Sequence, residues 1–105
     1  MTVLRFALLS LPLALATPTP VLAQDNDTNL GRNLAANCFN CHGTNGAAVG
    51  AMPALAGQSK DAIVRTLQEF REGKRPATIM HQIAKGYSEA QVAAIATYLS
   101  QQKSR

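Results

Sequence analysis

Residues 38–42, Cys38-Phe39-Asn40-Cys41-His42, decide how the rest of this 105-residue chain is read. Two thiols stand three positions apart and an imidazole follows the second directly, a spacing that reads as covalent attachment of a c-type haem. On one helical turn, positions i and i+3 share a face, so Cys38 and Cys41 can each add to one vinyl group of the same porphyrin. His42 lies one turn past Cys38, placed to ligate the iron.

Three other readings of the same residues differ in what they need nearby. A thioredoxin-like dithiol puts its first Cys at a helix N-terminus that lowers the thiol pKa, and it wants a βαβ context; no strand-rich stretch is visible. A zinc site wants four ligands, commonly with a second Cys or His pair at short spacing, and only His81 lies outside the motif. A structural bridge between Cys38 and Cys41 would close a very short loop and restrain little of the chain.

The sequence before the motif carries an export signal. Arg5 gives a positive start, Phe6 to Ala16 is an apolar run, and Val21-Leu22-Ala23 places small or apolar residues before a cut at Gln24. The run is shorter than the roughly 20 apolar residues that span a bilayer. The tract between Pro12 and Pro20 would break a longer helix, so no membrane anchor is expected once residues 1–23 are removed. The expected mature domain, 24–105, has 82 of the 105 residues, with nine Lys and Arg against six Asp and Glu, a net +3. That charge is too small to argue for nucleic acid, and no phosphate-binding loop is present.

A single domain of this size buries a modest fraction of its surface. After the signal there is no Trp, and the aromatics are Phe39, Phe70, Tyr87 and Tyr98, so the apolar side chains alone look thin. A haem burying on the order of 400 Å² of apolar surface would add roughly 10 kcal/mol at about 25 cal/mol per Å². That equals the whole stability of a small domain, so the chain without haem is expected to be molten or unfolded.

Helical periodicity follows. A first helix is expected from a cap at Asp27 or Thr28 through Leu30 and Leu34 to the Cys-His turn. Residues 43–58 (GTNGAAVGAMPALAGQ) hold four Gly, a Pro and no stripe of large residues, which predicts a loop that lets backbone approach something flat. Ser59 predicts an N-cap for a helix from Lys60 to about Glu72, with Ile63, Val64, Leu67 and Phe70 along it and Gly73 as the stop. Residues 78–86 predict a short helix or irregular segment ending at Gly86. Ser88-Glu89-Ala90-Gln91 is a capping box before the face Val92, Ile95, Ala96, Leu99. No alternation of period two appears, so the fold class is all-α.

A helix, CxxCH, a glycine-rich loop with Pro-x-Leu-x-Gly, two amphipathic helices and a Met between them resemble a class I cytochrome c, across nearly all of residues 27–101. The resemblance implies about four short helices wrapped around one covalently attached haem c, with Gly31 and Tyr98 where the first and last helices cross. More narrowly, Cys38 to Gly43, Pro53 to Gly57, Phe70 to Gly73 and Thr78-Ile79-Met80 with Ala84 to Ser88 resemble the haem subunit of flavocytochrome c sulfide dehydrogenases and related periplasmic di-haem cytochromes. Such relatives attach haem outside the cytoplasm, which agrees with the export signal and implies the periplasm. The resemblance also implies the backbone carbonyl of Pro53 as acceptor for His42.

The iron's sixth ligand has three candidates. Met80 lies 38 residues after His42, past a full helix, so the chain has room to return on the opposite haem face. Met52 is ten residues away, directly precedes the stiffening Pro53, and fits core filling. His81 would give a bis-imidazole haem of lower potential. A thioether favours Fe(II) and raises the potential, and Met80 is the expected ligand. Lys74 and Arg75 would approach the propionates or form a solvated turn. Lys60, Arg65, Arg71, Lys74, Arg75 and Lys85 would steer an acidic partner.

A six-coordinate haem passes single electrons and has no open position for a substrate, so the chain is expected not to be an enzyme. The expected function is periplasmic electron transfer, with a flavoprotein (FAD) subunit as donor and another cytochrome or an oxidase as acceptor. The alternatives are a free-standing carrier and, in a different class, a haem enzyme with an open sixth position.

Overall fold

In a computed structural model, which describes residues 29–104, five α-helical segments and two short 3-10 turns are joined by irregular chain, with no strand among the described residues. The architecture follows from the last helix. The helix numbered α5 (Glu89–Ser100) opens on the expected capping box, in which Gln91 N donates to Ser88 Oγ at 3.2 Å and Ser88 N donates to Gln91 Oε1 at 2.9 Å. Two donors that helix geometry leaves orphaned are thereby satisfied. Val92, Ile95, Ala96 and Leu99 form one buried stripe, and Ile95 and Leu99 are the largest fully buried side chains.

The first helix, α1 (Leu30–Ala35), crosses α5 at close range because Gly31 lacks a side chain there. A Cβ on Gly31 would sit 2.5 Å from the carbonyl oxygen of Ala94 and 3.2 Å from Cβ of Tyr98. The Gly31 and Tyr98 crossing implied by the resemblance is therefore present. Asp27 and Thr28, and the proposed export segment, lie outside the described residues; the N-cap position of α1 is Asn29. The expected continuous helix into the Cys-His turn is corrected: a 3-10 turn, Ala36–Cys38, separates α1 from α2 (Phe39–His42). Asn37 and Asn40, weak helix formers, lie in and after the break. Counted as one interrupted helix, α1 and α2 leave the four helices expected.

The helix α3 (Lys60–Arg71) starts at Ser59, whose Oγ accepts from Ala62 N at 3.2 Å. It ends in a Schellman motif: Lys74 N donates to Glu69 O at 2.9 Å and Gly73 N to Phe70 O at 3.2 Å, with Gly73 at φ 71°. The short helix α4 (Met80–Lys85) packs against α3. Ala35, Ile63, Ile95, Ala96 and Leu99 form the core, with Leu34, Phe39, Leu55, Val64, Leu67, Tyr87 and Tyr98 packed around it. Among the described residues four of eight buried apolar residues are alanine, so this core has little area to stabilise the fold by itself.

Candidate functional site

The turn that carries both thiols and the imidazole is rigidly placed. Phe39, inside the motif, packs on the core, its ring centroid 6.4 Å from that of Tyr98. Cys38 is the N-cap residue of α2 with helical φ and ψ, so Cys38 and Cys41 keep the i, i+3 relation; Cys38 is half-buried and Cys41 exposed. No disulfide joins them. Burial pushes the Cys38 thiol above its ordinary range, a backbone hydrogen bond partly opposing. A dithiol exchange site needs the opposite shift, which argues against that reading. Among the described residues no three His, Cys, Asp or Glu side chains gather as a metal-holding group.

Among the described residues His42 is the one buried polar residue, 7% exposed. Its Nδ1 lies 2.7 Å from the carbonyl oxygen of Pro53. A carbonyl can only accept, so Nδ1 carries a proton, and Nε2 is the nitrogen left to face a metal. This is how a ligating histidine is oriented, its far nitrogen held so that the near one faces a metal. The chemistry of the donor set thus fits a haem joined at two thiols with His42 on the iron.

The loop that delivers Pro53 is anchored at both ends. Gly46 carbonyl accepts from Leu55 N at 2.8 Å and Ala56 N at 3.1 Å, and Gly57 N donates to Leu99 O at 3.1 Å. Gly46 has φ 76°, which strains any other residue, and a Cβ there would crowd Leu55 Cβ at 3.0 Å and the Leu99 side chain at 3.1 Å. Residues 47–54 project between these ties. Met52, offered above as core filling, is 43% exposed, which corrects that reading: the ties hold Leu55 and Ala56 to the core and leave Met52 on the projecting part.

Met80 is the first residue of α4 and is half-buried, with His81, also half-buried, following it. On either side Ile79 is 56% and Ile83 38% exposed, and Val49 in the loop reaches 76%. These and Met52 are the large apolar side chains most exposed in the described chain. Val49 and Met52 precede Pro53 in the loop, and Ile79 and Ile83 lie beside Met80 in the sequence.

The basic turn differs from expectation. Lys74 pairs with Glu72, whose hydrogen bond and charge raise the Lys74 pKa. Arg75 donates from Nε and Nη2 to Glu69 Oε2 at 3.0 and 2.8 Å and lies 5.6 Å over the Phe70 ring. Arg71 donates to backbone carbonyls of Ala84 and Tyr87. Three of the six cations offered for steering are therefore engaged within the chain. Glu72 at the α3 C-cap, Glu69 within α3, and the carbonyls of Ala84 in α4 and Tyr87 after it are their partners. The Arg71 contacts span 13 and 16 residues, and no local pattern signals them.

Comparison with known proteins gives a consistent picture. The family model described as Cytochrome c matches residues 29–103. Cytochrome c-552 of Acidithiobacillus ferridurans is 44% identical over 63 residues, 60% of this chain and 27% of that protein. The cytochrome subunit of sulfide dehydrogenase from Chlorobaculum tepidum is 37% identical over 68 residues, covering 65% and 62% respectively. A solved structure of cytochrome c4 from Acidithiobacillus ferrooxidans superposes with a TM-score of 0.58 at 44% identity, over 60% of this chain and 37% of that one. The chain thus spans less than two thirds of each relative's length, from 27% to 62%.

Proposed function

Because this chain belongs to the cytochrome c family and has its class I, all-helical fold, we propose that it transfers electrons in the periplasm through one haem c with His/Met ligation. Cys38 and Cys41 would hold the haem through thioether bonds, His42 through Nε2 and Met80 through its thioether would ligate the iron, and Pro53 orients His42. The haem, when bound, supplies one-electron exchange between Fe(III) and Fe(II). The residues of this chain do the rest. The Pro53 carbonyl fixes the imidazole tautomer, the anchored loop holds that carbonyl in place, and Val49, Met52, Ile79 and Ile83 keep water from the porphyrin edge. The observation that carries this reading is the buried His42 with Nδ1–H on Pro53, one residue after Cys41.

The partner reading follows from the sulfide dehydrogenase likeness. A flavoprotein (FAD) subunit donates single electrons and another cytochrome or an oxidase accepts them. Export requires removal of residues 1–23, giving a mature chain that begins at Gln24; among the described residues no helix is long and apolar enough to cross a membrane.

Replacing Met80 with Ala tests the ligand set. The variant is expected to lose the weak long-wavelength charge-transfer band of ferric Met-ligated haem and, when reduced, to bind carbon monoxide readily. An unchanged spectrum removes Met80 from the iron. Carbon monoxide uptake by the wild-type reduced protein at neutral pH would favour the open-site enzyme. Pull-down of a flavoprotein from the source periplasm separates a subunit from a free carrier.

A further inference from the structure

We propose that Arg71 is a positioning residue that keeps Met80 on the iron by closing the far end of the helix Met80 begins; the inference rests on the Met80 reading above. Arg71 stands in the last turn of α3, half-buried. Its Nη2 donates to Tyr87 O at 2.6 Å and to Ala84 O at 3.3 Å, and its Nε approaches Ala84 O at 3.4 Å.

The need for these bonds follows from what α4 lacks. It has six residues, its N-cap is Ile79, and no side chain caps that end. A helix this short does not hold itself together, since nucleation is unfavourable and few bonds repay it. At its C-terminal end Ile83 O receives Gly86 N at 3.0 Å. Ala84 O would receive the amide of residue 88 if the helix continued, but Ser88 N is engaged by Gln91 Oε1 at 2.9 Å to start α5. Ala84 is fully buried, so without Arg71 a shielded carbonyl would go unpaired. One guanidinium therefore ties together the end of α3, the end of α4 and the residue before the α5 cap. Its charge also sits where the C-terminal ends of two helices favour a cation.

Met80 and Ala84 are one turn apart on the same face of α4. Ala84 is buried, and Arg71 holds its carbonyl. When the tie is cut, α4 loses its only side-chain cap, and the thioether sulfur at its other end is free to leave the iron. Bonds from a charged donor of this kind are worth enough to shift such an opening about tenfold.

The test uses the haem-loaded protein and three variants, read by the ferric charge-transfer band, the rate of carbon monoxide binding to the reduced form, the reduction potential and far-UV CD. Arg71→Met keeps the aliphatic stem and removes every donor. It is expected to weaken the band, speed carbon monoxide binding about tenfold and lower the potential, with haem and helical CD retained. Arg71→Lys keeps the charge but cannot span both carbonyls as a planar fork, so it is expected to fall between the two. Arg75→Gln removes the same charge from a side chain bonded to Glu69 and is expected to behave as wild type. If Met80→Ala loses the band while Arg71→Met keeps it with wild-type carbon monoxide kinetics, the clamp is overturned and the Met80 ligand stands. If Met80→Ala keeps the band, both fall. An Arg75→Gln effect as large as that of Arg71→Met would make the effect one of charge and overturn the clamp. Should Arg71→Met fail to fold, Arg71→Lys decides: a weakened band with intact CD supports the clamp, and an unchanged band and rate overturn it.

Discussion

The frame of α3 and α5 and the site formed by α2, the 43–58 loop and α4 are held by different means. Each frame helix starts on a serine that accepts from its own first turn, and buries large side chains against the other. The site elements are short. Neither α2 nor α4 has a side-chain N-cap, and their neighbourhood exposes Val49, Met52, Ile79 and Ile83. The frame is stabilised by burial within the chain, whereas the site is arranged for burial against something the polypeptide does not supply. The covalent haem that the cytochrome c family implies would supply that burial; among the described residues, four of the eight buried apolar residues are alanines.

The largest expected effect tests whether the frame can stand without the site's partner. The chain produced without haem is expected to lose fixed near-UV CD and a cooperative melt while keeping part of its far-UV signal. A sharp melt with native-like near-UV CD in that sample would mean that the frame is self-sufficient and the contrast drawn above is wrong.

A middle-sized effect lies inside the frame. Leu99 is fully buried, touches the Gly46 turn and gives its carbonyl to Gly57, so it joins frame to loop. In the haem-loaded protein Leu99→Ala is expected to cost about 2–5 kcal/mol, read by denaturant unfolding. A loss below about 1 kcal/mol would show that this side chain is not part of a close-packed core.

The smallest effect is at the surface. Lys74 is fully exposed, and Glu72 raises its pKa above 10.5 through a hydrogen bond first and charge second. A group whose folded pKa is raised contributes stability that is complete below the unfolded pKa and is lost as pH rises through the folded value. Glu72→Gln is therefore expected to lower thermal stability slightly from about pH 6 to 9, where the contribution is complete, and to match wild type once pH rises through the raised Lys74 pKa. A difference that grows on the alkaline limb, or a large loss at neutral pH, would contradict this.

The same division governs what could be read from the sequence. Ser59, Gly73 and the Ser88 box act on neighbours three to five residues away, so their motifs are visible in a short window. The Val92, Ile95, Ala96, Leu99 stripe is likewise legible, because one helix face meets one core. The haem motif is legible for a chemical reason: two thiols at i, i+3 and an adjacent imidazole are what attachment requires. The acceptor at Pro53 came only with the family resemblance, since no local rule connects it to His42. What was misread depends on contacts between distant residues or on competition between alternatives. The break after Ala35 looked continuous because its residues tolerate either helix type. Met52 looked like core because a Met usually is, but the ties at Gly46 and Gly57 leave it outside. Lys74 and Arg75 form the solvated turn that their sequence allows, paired with Glu72 and Glu69, while the carbonyl partners of Arg71 lie 13 and 16 residues away, beyond any local pattern.

The central claim is that this domain closes around a porphyrin bonded to Cys38 and Cys41. Intact mass of the mature protein, exported from a host able to attach haem, tests it most directly. The expected mass is that of the chain from Gln24 plus one haem, with the added mass on the peptide containing Cys38 to His42. A mature chain that weighs no more than its amino acids, from that same host, would contradict the account.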